Sequence, residues 1–425
     1  MQLACAMTTL FSCTEYPQAE RFTAPEIEYI EATVDGTDAL LTCRLSTYSD
    51  SGVYGEYGFE YWDSTGTVFS VKGMPMSDGV FTCDISSLES DDEYTFMAYI
   101  SIDGRRYESS KSTFTTEPCL IDGRIVDEVF RNACLEEFDL NKDGHLSLSE
   151  ADKVKEMQMM VKNSSFKGID VFRNLESVWF SLAKADTLDL SRCVKLKSVI
   201  AKGCHLKALL LPESSSISHI DVMNNNLTEI DLGNCPGLEY LNCTNNMKLG
   251  SLDFSKTMKL KTLICTNCDI TYLSLDGHDK LERLECGTIS MTPVSLSITG
   301  CRSLKHLDIS SLDKEMDFSA IPSIENLQLS FCYNQTSLDL SANTRLHELK
   351  IIDCPVTDVN LIRCQALKSA TFWYDSNIVS LDFSRCRAIS EIDCRYDDNL
   401  KTIVVPAGRD ININKDSGII VAESE

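Results

Sequence analysis

From Leu175 onward, aliphatic residues recur in the pattern L-x-x-L-x-L, in which x is mostly polar. The first residue of the pattern can be aligned at eleven positions that lie 20 to 23 residues apart: Leu175, Leu196, Ile217, Leu238, Leu260, Leu281, Leu304, Ile324, Leu346, Leu367 and Ile389. Such a period indicates a stack of coils, because one coil alone cannot bury its aliphatic side chains. A second copy between the first ones, as in Leu188-Asp189-Leu190, predicts two short strands in each coil.

An Asn or a Cys stands eight positions after the first aliphatic residue in six coils: Cys204, Asn225, Asn246, Cys268, Cys332 and Cys354. There it can hydrogen-bond backbone groups of the turn as a ladder. The slot departs from this pattern at Ile289, Leu312, Asp375 and Asp397. Thirteen of the nineteen cysteines lie between Cys193 and Cys394 and fall in slots of the repeat, so we predict small buried hydrophobes there and no disulfides.

Before the repeats, short runs rich in Val, Ile, Phe, Tyr and Thr alternate with turn signals. They predict strands over residues 39–45, 57–62, 67–71, 80–85, 94–102 and 112–116, and thus a β-sandwich over residues 24–117. The end of this segment resembles the last strands of fibronectin type III and related immunoglobulin-like domains, with Tyr94 at the place of a tyrosine corner. Cys43 and Cys83 fall on different predicted strands and either pair after export or remain two buried thiols.

After Pro118 the apolar spacing changes to that of an amphipathic helix, which runs into an acidic loop at residues 139–150. The loop matches the EF-hand pattern, with a glycine at position 6 and oxygen ligands for Ca²⁺ at the expected places. The predicted ligands are Asp139, Asn141, Asp143, the His145 carbonyl, Ser147 and a bidentate Glu150. An exit helix is predicted over residues 151–160. The alternative is a metal-free acidic turn that caps a helix.

The N-terminus suggests how the chain is held at a membrane. Residues 10–13, Leu-Phe-Ser-Cys, resemble the lipobox of a bacterial lipoprotein signal, with Cys13 as the acylated residue. No Lys or Arg precedes Cys13, which departs from the basic start of an export signal. No apolar run reaches the roughly 18 to 20 residues that a spanning helix needs. We therefore expect membrane contact only through a lipid on Cys13.

Charge narrows the classes of partner. Asp and Glu number 64 against 39 Lys and Arg, which gives a net charge of -25. Such an excess opposes nucleic-acid binding, and no basic patch offsets it. The sequence also contains no nucleophile elbow, P-loop, H-E-x-x-H or Rossmann glycine set, so we predict that the protein is not an enzyme.

The predicted organisation has four parts: a signal and tether over residues 1–23, the sandwich over 24–117, a helix, calcium loop and helix over 118–165, and a solenoid of about eleven repeats over 166–425. The fold class is mainly β. The coils, the calcium-type loop and the phrase Ser149-Glu150-Ala151 resemble leucine-rich-repeat surface lipoproteins of gut Bacteroidetes. That resemblance implies an outer-membrane or cell-surface location, and contact with a protein or glycan.

Alternate residues of a strand face away from the core, so outward positions of the first strand series should form a column across the coils. The column consists of Trp179, Ile200, Asp221, Asn242, Ile264, Glu285, Asp308, Gln328, Lys350, Thr371 and Asp393. Aromatic residues beside polar groups are typical of recognition surfaces. On and beside this column, the candidate ligand-binding residues are Trp179, His219, Tyr240, Arg283, His306 and Trp373. The alternative is a solvated face without a partner.

The second strand series stacks aspartates in a column of its own: Asp189, Asp231, Asp253, Asp317, Asp339 and Asp382. We expect solvated carboxylates that contact nearby serines rather than a calcium-binding stripe. The main hypothesis for the whole chain is an exported recognition or adhesion protein. The alternative hypothesis is a structural component that organises the cell envelope.

Overall fold

The computed structural model describes residues 24–46, 55–102, 104–213, 216–288, 292–374 and 377–424. The chain divides into two compact units, Met1–Cys119 and Leu120–Glu425, each with a hydrophobic core of its own. The predicted lipidation site, Cys13, lies outside the described residues.

Two antiparallel sheets enclose the core of the first unit. The strands are β1 (Ile27–Asp35), β2 (Asp38–Leu45), β3 (Tyr57–Trp62), β4 (Val68–Lys72), β5 (Val80–Ile85), β6 (Glu93–Ile102), β7 (Arg105–Glu108) and β8 (Ser112–Thr115). One sheet has the order β1-β2-β5 and the other the order β4-β3-β6-β7, with β8 also paired to β6. Phe59, Phe81 and Phe96 are buried between the sheets. The predicted β-sandwich is confirmed.

All six strands predicted in this unit are present, and the structure adds β1 and β7. Both added strands lie at sheet edges. In β7 the sequence Arg-Arg-Tyr-Glu carries almost no apolar residue, whereas β1 alternates over Ile30, Ala32 and Val34 and was not predicted despite that pattern. Tyr94 Oη accepts a hydrogen bond from the backbone N–H of Glu89 at 3.0 Å, which is the contact of a tyrosine corner. Membership of this module in the immunoglobulin-like group stays a prediction.

Cys43 and Cys83 lie on neighbouring strands of one sheet and are free, buried thiols. Cys43 is opposite Phe81, and Cys83 is opposite Leu41, so the two cysteines are diagonal neighbours. Diagonal neighbours lie about 7–8 Å apart, more than the roughly 4.4–6.8 Å between the Cα atoms of a disulfide. Burial raises the pKa of Cys43 to about 12. The structure therefore favours the second alternative, two unpaired thiols.

The second unit begins with helical turns and continues as a solenoid. The helices are α1 (Glu128–Phe138) and α2 (Leu148–Lys153), and single 3₁₀ turns lie at Asp122–Arg124, Ile169–Val171 and Phe318–Ala320. The strands are β9 (Glu156–Met159), β10 (Ser177–Ser181), β11 (Thr187–Asp189), β12 (Ser198–Lys202), β13 (Ala208–Leu210), β14 (His219–Asp221), β15 (Tyr240–Asn242), β16 (Thr262–Thr266), β17 (Tyr272–Ser274), β18 (Arg283–Gly287), β19 (Ser295–Ser297), β20 (His306–Ser310), β21 (Asn326–Ser330), β22 (Ser337–Asp339), β23 (Glu348–Ile352), β24 (Asp358–Asn360), β25 (Ser369–Trp373), β26 (Ser380–Asp382), β27 (Glu391–Cys394), β28 (Thr402–Val405), β29 (Asn412–Lys415) and β30 (Ile420–Glu423).

One parallel sheet of thirteen strands, here called the long sheet, runs through the solenoid in the order β9-β10-β12-β14-β15-β16-β18-β20-β21-β23-β25-β27-β29. Eleven of its strands begin two residues after the eleven aligned repeat positions, and the first aliphatic residue of every repeat is fully buried. The register is uniform, so that Leu241, for example, lies between Ile220 and Leu263. The predicted leucine-rich-repeat solenoid is confirmed, and β9 and β29 extend it by one strand at each end.

The second strand series is less regular than predicted. It forms separate short sheets, β11-β13, β17-β19, β22-β24 and β26-β28-β30. Residues 230–232 and 252–254 form no strand, and residues 318–320 form a 3₁₀ turn. At that turn the Gln335 side chain bonds both the N–H and the C=O of Met316, at 2.9 and 3.3 Å, in place of a strand partner. The expectation of two strands in every coil is therefore wrong for these three coils.

The exit helix predicted over residues 151–160 is also wrong. The helix after the acidic loop is α2, which starts at Leu148 because Ser147 and Glu150 form a capping box, and it ends at Lys153. Met157 and Met159 are buried while Glu156 and Gln158 are exposed, which is the period of a strand. These residues form β9, the first strand of the long sheet. The need to cover the end of the coil stack outweighs the helical tendency of the segment.

The predicted ladder is present inside the turns. Asn225 donates to the carbonyls of Ala201 and Val222 at 2.7 and 2.9 Å, and its oxygen accepts from the N–H groups of Cys204 and Leu206. Cys268 occupies the same slot and donates its S–H to the Cys243 carbonyl at 3.2 Å. All seventeen cysteines of the described residues are free, and sixteen of them are buried. The slot residues thus join one coil to the next through buried backbone groups.

We predict that Asn225→Ala lowers the free energy of unfolding by about 2–3 kcal/mol, because two carbonyls and two N–H groups lose their buried partner. Asn225→Cys should recover part of this loss, since cysteine fills the slot in other coils. The control is Asn412→Ala on the exposed face of β29, with an expected change within about 0.5 kcal/mol. Urea titration followed by circular dichroism measures all three; equal losses in Asn225→Ala and Asn412→Ala would contradict the ladder.

Candidate recognition surface

The outward side chains of the long sheet form columns in register from coil to coil. Strand pairing places Trp179 beside Ile200, and the same column continues in order through every residue predicted for it to Asp393. Inward residues form the core, whereas the outward column mixes exposed residues such as Trp179 with the buried polar residues Asp221, Asn242 and Asp393. This face of the long sheet, called the outer face below, is the candidate site.

The six candidate ligand-binding residues lie on the outer face but do not form a single site. Trp179, His219 and Tyr240 lie in the first coils, Arg283 and His306 lie on neighbouring strands in the middle, and Trp373 lies near the end. Adjacent strands are about 4.8 Å apart, so nine coil steps between Trp179 and Trp373 separate them by roughly 43 Å. The outer face therefore has three sectors.

The first sector is aromatic. The rings of His219 and Tyr240 stack at 4.3 Å with an angle of 8°, and Trp179 is 48% exposed. Lys202 pairs with the carboxylate of Asp221 at 2.8 Å beside the stack. Burial lowers the pKa of His219, so its ring is neutral at pH 7. This sector offers neutral aromatic surface next to one ion pair.

The middle sector is ionic. Glu285 accepts from Arg283 Nε at 2.6 Å, and His306 Nε2 lies 3.7 Å from the same carboxylate. The neighbouring Asp308 has a pKa raised to about 6 by burial and by the charge of Glu285, while Lys350 opposes the shift. Burial and the Arg283 charge lower the pKa of His306. Charges in this sector are matched within the protein rather than left for a partner.

The third sector contains a group of residues of which only Trp373 and the column residue Asp393 were predicted to lie on this face. Arg395 lies 5.6 Å from the ring centre of Trp373 and 5.8 Å from that of Tyr396. Its guanidinium forms a bidentate ion pair with the Asp393 carboxylate, with N–O distances of 2.7 and 2.9 Å. Tyr374 and Tyr396 stack at 4.9 Å with an angle of 8°. Both tyrosines are half exposed.

The two tyrosines share a slot of the repeat that has an unusual backbone conformation. The residue seven positions after the first aliphatic residue has a left-handed backbone in ten of the eleven coils: Leu182, Gly203, Asn224, Asn245, Asn267, Ser311, Phe331, Asp353, Tyr374 and Tyr396. Glycine and asparagine accept this conformation readily, whereas other residues lose roughly 1–2 kcal/mol. Large side chains in this slot, as at Leu182, Phe331, Tyr374 and Tyr396, therefore carry backbone strain.

The aspartates of the second series play a local structural part, as predicted. The Asp189 carboxylate accepts from the N–H and hydroxyl of Ser191 at 3.0 and 2.6 Å, and the Asp253 carboxylate accepts from the N–H of Ser255 at 2.8 Å. The other four aspartates make the same bond to the residue two positions later. These bonds hold the turn that follows each aspartate. The expected contacts with nearby residues are confirmed, although Asp231 has Gly233 as its partner.

The acidic loop over residues 139–150 is held by hydrogen bonds between its own carboxylates and its own backbone N–H groups. Asp139 accepts from the backbone N–H groups of Lys142 and Gly144, at 2.7 and 2.9 Å. The buried Glu150 accepts from Leu140 N–H and from the N–H and hydroxyl of Ser147, at 2.8 to 2.9 Å. Asp143, Asn141 and the His145 carbonyl lie on the same loop. The potential metal ligands of the loop are therefore all oxygen atoms, which calcium prefers. Across the described ranges, no three His, Cys, Asp or Glu side chains converge as a metal site would require.

No helix in the described part of the chain is long and apolar enough to span a membrane. No protein-family model matches the chain, and no curated protein matches it either. Among solved structures, the functional domain of InlJ from Listeria monocytogenes, described as including a cysteine ladder, is similar with a TM-score of 0.52 and 20% identity. The match covers 68% of this chain and 71% of that chain. This likeness supports the solenoid fold.

A second solved structure, a Br derivative of BhCBM56, matches 22% of this chain and 96% of that chain at 13% identity. Its TM-score of 0.18 is too low to support any argument.

The Asp308 pKa has a consequence for stability. Aspartate titrates near 3.9 in an unfolded chain, so the native state holds this proton more tightly, and ionisation of Asp308 destabilises the fold as the pH rises through about 6. We predict that Asp308→Asn raises the free energy of unfolding by about 1 kcal/mol at pH 7.5 and leaves it unchanged near pH 4. Urea titrations at the two pH values measure this.

The matched control is Asp339→Asn. The hydrogen bonds from Ser341 lower the pKa of Asp339, so its loss should give no gain in stability at pH 7.5. A gain of equal size in both variants, or a gain in Asp308→Asn that persists at pH 4, would contradict the assignment to Asp308.

Proposed function

We propose that the protein is a non-enzymatic, exported recognition protein, and that the outer face of the long sheet binds a protein or glycan ligand. The observation that carries the proposal is the placement of outward aromatic side chains in two sectors of one continuous face. Trp179 is exposed, and His219, Tyr240 and, in the other sector, Trp373 are half-buried. Aromatic residues and arginine supply most of the binding energy at recognition surfaces. The core and the ladder do not use these side chains.

Export and a lipid anchor on Cys13 are part of the same proposal. They rest on the lipobox at residues 10–13 and on the resemblance of the coils to surface lipoproteins. A lipid anchor would leave the outer face accessible at the cell surface. Labelling with radioactive palmitate, compared between the native chain and Cys13→Ala, tests this part.

We predict that the full chain retains a ligand from a panel of mucin, extracellular-matrix proteins and arrayed glycans. Trp179→Ala or Trp373→Ala should weaken that binding at least about tenfold, because a buried aromatic contact contributes about 2 kcal/mol or more. Tyr272→Ala is the matched control, since Tyr272 is 63% exposed but belongs to the second strand series. Surface plasmon resonance measures the affinities.

Two results would overturn the proposal. The first is binding that both tryptophan variants leave unchanged. The second is a chain that binds nothing in the panel but associates with itself or with an envelope complex, which is the outcome expected of a structural component.

We also propose that Ca²⁺ binds the loop over residues 139–150 and rigidifies it. The support is the oxygen donor set of Asp139, Asn141, Asp143, Glu150 and the His145 carbonyl, together with Ser147, on one twelve-residue loop that matches the EF-hand pattern. Extracellular sites of this type bind with dissociation constants of about 10⁻⁴ to 10⁻³ M. The bound ion would supply charge neutralisation between α1 and α2.

We predict that 10 mM Ca²⁺ raises the melting temperature by about 2–5 °C relative to EGTA, as expected from mass action at such affinities. Asp139→Ala and Glu150→Ala should abolish this difference, even though each also lowers the melting temperature in EGTA by removing loop hydrogen bonds. Asp122→Asn is the control, because Asp122 lies near His145 but outside the loop. Calorimetry in both buffers measures the difference; a calcium shift that survives in the two loop variants would refute the site.

A further inference from the structure

The third sector of the outer face contains an aromatic feature that the fold does not need. Tyr374 and Tyr396 have φ values of 62° and 70°, in the slot that asparagine fills at Asn224, Asn245 and Asn267. The asparagines in that slot bond one another along the stack, with Asn245 Nδ2 2.7 Å from Asn224 Oδ1. The two tyrosines give up that bonding and accept a strained backbone.

Burial of the two tyrosine side chains does not offset this backbone strain. Tyr374 is 53% exposed and Tyr396 is 50% exposed, and neither belongs to the hydrophobic core of the solenoid. Their rings stack face to face on each other, so the pair stands as one rigid aromatic edge along the outer face. We call Tyr374 and Tyr396 the tyrosine edge.

The charge around the tyrosine edge is negative. Asp353 precedes Tyr374 in the same slot of the coil before it, and Asp416 accepts from the Tyr396 N–H at 2.6 Å. Asp393 is adjacent on β27. The cation among these groups is Arg395, which Asp393 already holds in a two-pronged pair. Three carboxylates against one guanidinium leave an excess of negative charge around exposed aromatic rings.

We propose that the tyrosine edge binds a lysine- or arginine-bearing segment of a partner protein. The cation would lie against the tyrosine rings, as Arg395 lies near Tyr396 within this chain, and the carboxylates of Asp353 and Asp416 would complement its charge. A phosphorylated or sulfated ligand would instead meet the three carboxylates and be repelled. This inference rests on the proposed recognition function and narrows it to one sector and one class of partner.

The test uses the full chain and two pools of fluorescein-labelled 15-residue peptides. The first pool carries Lys or Arg at fixed positions, and the second carries Gln at the same positions. Fluorescence anisotropy should show binding of the first pool only. Tyr374→Asn and Tyr396→Asn should each weaken it at least tenfold, while the melting temperature stays equal or rises, because asparagine suits the left-handed backbone.

The control is Tyr272→Asn, which removes an exposed tyrosine from the second strand series. None of the three substitutions changes the net charge, so a general attraction of cationic peptides to an acidic protein would affect all variants equally. Tyr272→Asn should bind like the native chain.

Four outcomes would overturn the inference: no binding of the Lys and Arg pool, equal binding of the Gln pool, unchanged binding in both edge variants, or an equal loss in Tyr272→Asn. The same edge variants are then tested on any ligand retained from the mucin, matrix and glycan panel. A ligand that binds through Trp179 and ignores the tyrosine edge would leave the recognition function standing and refute this inference alone.

Discussion

The aliphatic side chains of each coil of the solenoid are exposed to solvent unless a neighbouring coil covers them. This mutual cover is the constraint on which the rest of the structure depends. It sets the register of the long sheet, since a shift of one residue would turn an inward Leu241 outward and bring Asn242 into the core. The first coil also needs a strand beside β10, and β9, which follows directly after α2, fills this place. Stability is thus a property of neighbouring coils.

The same constraint decides how much could be predicted from sequence. The inward positions repeat with a fixed period, so the solenoid, the eleven strand positions and the outward column could all be derived from residues such as Leu238 and Leu241. The second strand series was predicted less well, because its strands depend on the turn that follows rather than on burial. Met316, for example, is bonded by Gln335 from the next coil, a partner that no local pattern shows. Edge strands such as β7 carry too few apolar residues to give a signal.

The candidate site was harder to predict than the fold, and for a physical reason. The outward positions carry a different residue type in each coil. The repeat therefore indicates which outward residues share a column, but not which of them bind a ligand. Trp179 and Trp373 were found in this way, but their separation by nine coils was not used to divide the face into sectors. Tyr374 and Tyr396 are absent from the predicted site because they lie outside the strand columns from which its residues come. The alignment of the leucines does not reveal the backbone conformation of the slot that the two tyrosines share, which becomes informative once φ is known.

The left-handed slot shows how a repeat fold can reveal function. In a stack of equivalent coils, each slot has a residue that suits it best, and the asparagines at Asn224, Asn245 and Asn267 set that reference for this one. A coil that replaces asparagine by an exposed tyrosine strains its backbone and loses a side-chain bond without gaining burial. Leu182 and Phe331 show that this slot also accepts other large side chains, but only the two tyrosines stand in successive coils with their rings stacked. We attribute this pair to the proposed contact with a partner segment, which would lie at the end of the solenoid opposite to the calcium-type loop.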